Sequence, residues 1–231
     1  FTQEASLYRK LEHPNIVRVY DFEREGDLRF IIMDWVEGSS LSEAIQEHQK
    51  PFDLGTVSRI LQPISSALQY AHQHQVYHCD VKPANILLHK DGKVLLTDFG
   101  VARLADSSSG GGTAPYMAPE QFNGGNIGAQ TDVYSLGATL YVLLSGGKIP
   151  FQGDSQESRG STTQERIAWE HVNLPLPPLR QYNSDLSTAV QRVVSTAMEK
   201  NPSRRYGSTM DLREAFEHAR IQREHGKDTG S

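Results

Sequence analysis

The stretch that decides the fold reads HCDVKPAN and covers residues 78–85. It places a carboxylate, an ammonium and an amide within six positions of one loop. The tripeptide DFG (98–100) begins thirteen residues after Asn85, and APE (118–120) begins eighteen residues after the glycine of DFG. Each tripeptide alone is typical of a turn. The HCDVKPAN loop and the two tripeptides, in this order and spacing, indicate a single functional site.

This order resembles the protein-kinase motif set, in which a catalytic loop is followed by a metal-binding DFG and by an APE that closes the activation segment. The Lys82-Pro83 pair and the stretch GTAPYMAPE (112–120) resemble the serine/threonine branch. The sequence as a whole is similar to the eukaryotic-like, bacterial-type serine/threonine kinase domains of receptor-like proteins. The resemblance runs from about Glu4 to about Phe216, which is most of the chain.

The resemblance implies catalytic roles for residues of the loop and of the activation segment. Asp80 would orient the proton of the substrate hydroxyl, and Lys82 would place its ammonium against the γ-phosphate of ATP. Thr113 would hydrogen-bond near both and shape the site for a hydroxyl acceptor. Asn85 and Asp98 would hold Mg²⁺ or Mn²⁺ against the phosphates, since oxygen ligands suit such hard cations. Taken separately, Asp80 and Asn85 are also common turn formers.

Other positions resemble the ATP-binding residues of the family. Met33 resembles the gatekeeper, and the residues after it resemble the hinge, with the Asp34 carbonyl and the Val36 N–H meeting the adenine edge. Leu87 would pack beneath the ring. Glu4 precedes HPNIV at the spacing of the helix-C glutamate, whose partner is a strand lysine. The alternative is that Met33 and Leu87 are ordinary strand and core residues.

The start of the sequence lacks the strand lysine and the Gly-rich phosphate loop that such a domain uses. We therefore expect a truncation before helix C, and we expect this fragment to bind nucleotide poorly and to transfer phosphate slowly or not at all. Phe1 is not a natural start residue, so we expect further sequence upstream.

Two predicted contacts would hold the catalytic loop and the activation segment in place, and one residue differs from the kinase pattern. Glu120 would pair with Arg205, unless the two make an ordinary surface contact. Asp132 resembles the buried helix aspartate that anchors the catalytic-loop backbone, or else it is a helix N-cap.

Cys79 replaces the arginine that holds a phosphorylated activation loop through a bidentate contact. We therefore expect little activation by phosphorylation of residues 107–109, and a packed rather than reactive Cys79.

Composition and charge restrict the remaining classes. The 231 residues are 37% hydrophobic and 22% charged, which is typical of a globular protein. A net charge of -5 gives no support for a nucleic-acid partner or for direct membrane contact. One cysteine excludes an internal disulfide and favours a cytoplasmic setting, either free or as the cytosolic domain of a membrane-anchored protein. No Cys pair or HExxH accompanies the nine histidines, so we do not expect a zinc site.

The expected fold is α+β and two-lobed, mostly the helical large lobe, with a partial small lobe that lacks its first strands. Residues 1–36 would form the small lobe with helix C, two strands and the hinge. Residues 37–222 would form the large lobe with the catalytic loop and activation segment, and 223–231 a polar tail. The predicted elements are a hairpin (16–22 and 28–35), a helix capped by Ser40 and Glu43, a long helix (53–74) kinked at Pro63, two short strands (86–89 and 94–97) and helices from 130 onward.

The implied function is a serine/threonine protein kinase domain that transfers the γ-phosphate of ATP to hydroxyls of a protein substrate. One alternative is a pseudokinase or large-lobe binding module, although a scaffold does not need the intact set of Asp80, Lys82, Asn85 and Asp98. A small-molecule phosphotransferase shares this chemistry, but the APE tripeptide and the helices after it indicate a groove for a protein. The sequence leaves the substrate and the oligomeric state open.

Overall fold

The computed structural model of the protein describes residues 8–26, 28–99 and 113–228. The predictions for Glu4, for the glycine of DFG and for the serines at 107–109 lie outside the described residues.

The strands form two small antiparallel sheets. The first is the predicted hairpin, in which β1 (Val19–Glu25) pairs with β2 (Leu28–Met33). The second has the order β3 (Gly38–Ser40), β4 (Ile86–His89) and β5 (Val94–Leu96). The sequence did not predict β3. Its backbone lies so close to β4 that a Cβ on residue 38 would sit 2.0 Å from the Leu88 carbonyl oxygen, which explains the glycine there.

Seven α-helices follow in the described part of the chain. They are α1 (Leu41–His48), α2 (Leu54–Gln73), α3 (Pro119–Phe122), α4 (Ala129–Ser145), α5 (Thr163–Asn173), α6 (Thr188–Ala197) and α7 (Thr209–Asp228). Short 3₁₀ turns lie at Pro83–Asn85, Ala114–Tyr116, Leu179–Gln181 and Pro202–Arg204. The helix α7 continues to Asp228, into the segment expected to be a polar tail.

The start of α1 and the proline within α2 both agree with the sequence prediction. The Ser40 hydroxyl accepts a hydrogen bond from the Glu43 N–H at 3.2 Å, and the Glu43 carboxylate accepts one from the Ser40 N–H at 2.6 Å. This reciprocal capping box begins α1, as predicted. The long predicted helix is confirmed as α2, and Pro63 lies inside it. The kink at Pro63 stays a prediction.

The core is centred on α4. All residues from 131 to 145 are buried, and the helix packs against α2, α6 and α7. The approach of α4 to α6 requires Gly137, because a Cβ there would lie 2.8 Å from the Cβ of Ala197. The buried centre makes α4 a fixed base for side chains at its N-terminal end, among them Asp132.

The α+β architecture is confirmed, with two small sheets and a large helical body in which α1 and α2 lie between β3 and β4 in the chain. Across the described ranges, no helix is both long enough and apolar enough to cross a bilayer.

Candidate active site

The four predicted catalytic residues are in direct contact around the Asp80 carboxylate. Its Oδ2 accepts hydrogen bonds from Lys82 Nζ at 2.7 Å and from Asn85 Nδ2 at 3.2 Å. Its Oδ1 accepts one from the Thr113 N–H at 2.9 Å, and Lys82 Nζ also donates to the Thr113 hydroxyl. The side chains of Asp80 and Lys82 are 11% and 20% exposed, so the group is largely sheltered yet open to a substrate.

The loop that carries Asp80 is fixed by His78. The Asp80 N–H donates to His78 Nδ1 at 3.2 Å, which places the ring proton on Nε2, where it is donated to the Thr97 carbonyl at 2.9 Å. Burial lowers the pKa of His78, in keeping with this neutral tautomer. The Thr97 N–H donates in turn to the Asn85 carbonyl at 3.0 Å. These bonds tie the catalytic loop to the residue that precedes Asp98.

The backbone of the loop is held from below by Asp132 on α4. Its Oδ2 accepts from the His78 N–H at 2.9 Å and from His72 Nε2 at 2.7 Å, and its Oδ1 accepts from the Cys79 N–H at 2.8 Å. Burial would raise the pKa of Asp132, but the hydrogen bonds from His72 and from the His78 N–H outweigh it and lower the pKa. Asp132 is therefore an anchor. The N-cap alternative is wrong, since Gly128 is the N-cap of α4.

Asn85 and Asp98, the residues predicted to hold a divalent cation, both carry side-chain oxygens that could bind one. The Asn85 amide nitrogen donates to Asp80, and these hydrogen bonds do not involve its Oδ1, the atom that would bind a cation. Asp98 is exposed and has a φ of 62°, a left-handed conformation that is costly outside glycine and recurs at functional sites. Two oxygen donors fit Mg²⁺, which keeps waters and shares phosphate oxygens. Within the described ranges, no three His, Cys, Asp or Glu side chains cluster as a metal site.

The predicted adenine-binding residues line one pocket of about 320 Å³ between the two sheets. Met33, Asp34, Val36 and Leu87 all contribute to its wall. The Thr97 hydroxyl contacts the Met33 sulfur at 3.8 Å, so Met33 lies beside the residue that precedes Asp98. Met33 is 44% exposed, which is too open for an ordinary core residue of a strand.

The sequence is similar to known protein kinases over most of its length. The family model described as the protein kinase domain matches residues 1–219. The chain belongs to the protein kinase domain family. The serine/threonine-protein kinase PrkC of Bacillus subtilis is 36% identical over 218 residues, which cover 92% of this chain and 32% of that protein. PknB of Mycolicibacterium smegmatis, also a serine/threonine-protein kinase, is 38% identical over 226 residues, with 92% and 34% covered.

Solved structures give the same assignment for the kinase domain. The crystal structure of the Mycobacterium tuberculosis PknI kinase domain has a TM-score of 0.74 at 28% identity, covering 95% of this chain and 77% of that one. The kinase-like fold expected from the sequence is thereby confirmed. The chain spans about a third of the length of the curated relatives it matches.

The Glu120–Arg205 pair of the kinase domain is buried, so the surface-contact alternative is wrong. Arg205 donates to both oxygens of Glu120, at 2.7 and 2.8 Å, and the two side chains are 0% and 7% exposed. Arg205 also donates to the carbonyls of Glu199, Lys200 and Gln130. The pair joins the APE segment to the loop before α7.

Two residues that support the site, His72 and Gln121, were missed in the sequence. His72 was considered only as a metal ligand, although it donates to Asp132. Gln121 was not considered, although its side chain contacts both Ala118 and Cys79. Cys79 itself is packed, as expected, with 2% of its surface exposed. Its position directly after the APE motif was the only signal in the sequence that could have indicated Gln121.

Proposed function

We propose that this chain carries the catalytic domain of a serine/threonine protein kinase, which transfers the γ-phosphate of ATP to protein Ser/Thr hydroxyls with Mg²⁺ or Mn²⁺ as cofactor. The observation that supports this most is the contact of Lys82, Asn85 and Thr113 with one carboxylate, Asp80. A binding module would have no need for such an arrangement.

The hydrogen-bonding capacity of the cluster matches the reaction. A carboxylate offers about four acceptor sites, and three donors reach Asp80, which leaves a site on Oδ1 for a substrate hydroxyl. The Lys82 ammonium has three protons, and Asp80 and Thr113 use two. The third can bind a phosphate oxygen. Asp80 would thus orient the attacking hydroxyl while Lys82 stabilises the transferring phosphoryl group.

The nucleotide would lie with its adenine in the pocket of Met33, Asp34, Val36 and Leu87 and its phosphates toward Asp98. The Val36 N–H makes no hydrogen bond within the described residues and is therefore available to the adenine edge. Asn85 and Asp98 would hold the cation, which supplies charge neutralisation to the phosphates when bound. Glu4 would belong to the same site through a lysine outside this sequence.

The wider organisation is part of the proposal. Residues 1–36 would form the partial small lobe, 37–222 the large lobe and 223–231 a polar tail. The chain would act in the cytoplasm on protein substrates, without nucleic acid and without direct membrane contact. The homologous kinases and the acidic net charge of -5 support this view.

The test uses the full-length natural chain that carries this sequence. It is incubated with γ-labelled ATP, Mg²⁺ and either dephosphorylated casein or a small alcohol. We expect label on Ser or Thr of the protein and none on the alcohol. Label on the alcohol alone would replace the proposal by a small-molecule phosphotransferase, and ATP binding without transfer would replace it by a pseudokinase.

Calorimetry separates the nucleotide site from the chemistry. The Asp98→Ala variant should lose the Mg²⁺-dependent part of ATP binding, because it removes an anionic ligand of the cation. The exposed Asp185→Ala serves as the matched control and should bind as the wild type does. Equal Mg²⁺ dependence in both variants would contradict the role of Asp98.

A further inference from the structure

Gln121, the first residue after the APE tripeptide, connects two segments of the site with one side chain. Its Oε1 accepts a hydrogen bond from the Ala118 N–H at 2.8 Å. Its Nε2 donates to the Cys79 carbonyl at 2.8 Å. The side-chain amide therefore joins the end of the activation segment to the residue directly before Asp80.

The Cys79 carbonyl belongs to the peptide unit that carries Asp80. The other end of this unit, the Asp80 N–H, donates to His78 Nδ1 at 3.2 Å. Gln121 and His78 thus hold the two ends of one peptide plane, and that plane sets the direction in which the Asp80 side chain leaves the backbone. Gln121 is the member of this pair that comes from the activation segment.

The conformation of Cys79 makes such a restraint necessary. Its φ is 64°, in the left-handed region that a side chain other than glycine adopts at a cost. Asp132 fixes its N–H at 2.8 Å, and Gln121 fixes its carbonyl. A strained residue of this kind persists only where its surroundings hold it from more than one side.

We propose that Gln121 is a positioning residue, which orients the Asp80 peptide from the activation segment and does so without any phosphate. This inference rests on the proposed kinase function. It also gives a physical basis for activity without an arginine at position 79, since a neutral amide on the segment itself makes the connection.

Two substitutions test the hydrogen bonds of the Gln121 amide. Gln121→Glu keeps an oxygen for the Ala118 N–H but, when ionised, has no proton for the Cys79 carbonyl. Gln121→Met has a similar length, loses both the donor and the acceptor and adds no charge. The matched control is Gln191→Glu on α6, where the glutamine Oε1 accepts from the Arg180 N–H at 3.1 Å and the carboxylate can still do so.

The measurement is steady-state phosphorylation of casein by the full-length chain from pH 8 to pH 5.5. At pH 8 we expect both variants to lower kcat by about 10-fold with KM for ATP within twofold, because a misdirected Asp80 affects chemistry rather than nucleotide binding. The deficit of Gln121→Glu, relative to wild type at each pH, should shrink as the pH falls, since the carboxylate faces the Cys79 carbonyl oxygen, which raises its pKa, and the protonated acid regains a donor. The deficit of Gln121→Met should stay constant, and Gln191→Glu should match wild type.

Several results would overturn the inference. They are an unchanged kcat in Gln121→Met, a Gln121→Glu deficit that does not change with pH, or an equal loss in Gln191→Glu. The melting temperatures of the variants, measured alongside, should lie close to that of wild type, and a joint loss of folding and activity in both Gln121 variants would assign the residue to stability alone. An inactive wild type would refute the kinase function instead, so the two failures are distinguishable.

Discussion

Replacing Asp132 removes the one carboxylate that holds the catalytic loop on α4. Three donors reach it, namely the His78 N–H, the Cys79 N–H and His72 Nε2, all within 2.9 Å. In Asp132→Ala all three lose their acceptor in a fully buried place. Each buried donor left unsatisfied costs about 1–3 kcal/mol of unfolding free energy.

The Asp132→Asn variant should cost less, because the amide keeps one oxygen. That oxygen can still accept from the Cys79 N–H, and the amide nitrogen can donate to a neutral His72. The His78 N–H then faces a donor and is left unsatisfied, which costs about 1–3 kcal/mol. The order of stability is therefore wild type, then Asn, then Ala.

Urea unfolding followed by tryptophan fluorescence measures both differences, with the exposed Asp185→Asn as control. A control shift of less than about 0.5 kcal/mol is expected for a surface site. If Asp132→Asn and Asp132→Ala unfold at the same urea concentration as wild type, the carboxylate is not an anchor, and the reasoning from its three hydrogen bonds is refuted.

Three further predictions concern stability. Burial and the Lys200 charge lower the pKa of His171 to about 3, so His171 takes up a proton below pH 6.5 in the unfolded chain but not in the folded one. The free energy of unfolding should therefore fall by about 1.4 kcal/mol between pH 8 and 5.5. The His171→Gln variant should lack this pH-dependent loss when urea unfolding is measured across the same pH range. Arg205→Met leaves the Glu120 carboxylate buried and unpaired, and should cost about 3–5 kcal/mol in the same assay. Gly137→Ala forces α4 away from α6, and should lower thermal stability by about 1–3 kcal/mol.

The Arg205 and Gly137 changes have matched controls, and all three changes have a contradicting outcome. Arg192→Met, at an exposed position of α6, controls for loss of an arginine. Gly207→Ala controls for the added methyl, because this position is exposed and the nearest atom to its Cβ, at 3.2 Å, is the end of the flexible Asp211 side chain. An equal loss in a variant and its control would contradict the buried pair or the close packing, and an unchanged pH slope in His171→Gln would contradict the neutral histidine.

The composition of the site could be predicted because its residues lie close together in the sequence or in recognisable motifs. Asp80, Lys82 and Asn85 occupy one loop, and Thr113 precedes the APE motif by a short span. The periodic apolar face of α2 and the capping box of α1 are local signals and were also predicted correctly. In local patterns of this kind, the residues that interact lie close together in the sequence.

The supporting contacts could not be predicted, because each joins residues far apart without a periodic pattern. His72 looks like a helix histidine until α4 brings Asp132 to it, sixty residues later. The strand β3 has three residues and no alternation, and it exists through pairing with β4. Nothing in the sequence distinguishes a buried Glu120–Arg205 pair from an exposed one, since burial depends on the helices packed around it.

The central claim is that Asp80 orients the substrate hydroxyl, and single-turnover phosphoryl transfer tests it most directly. The full-length wild type and its Asp80→Asn variant are saturated with ATP and Mg²⁺ and mixed with excess casein, and the first transfer is timed. The account predicts a rate lower by about 10²–10⁴-fold in the variant with ATP binding retained. Equal rates in the two proteins would contradict it.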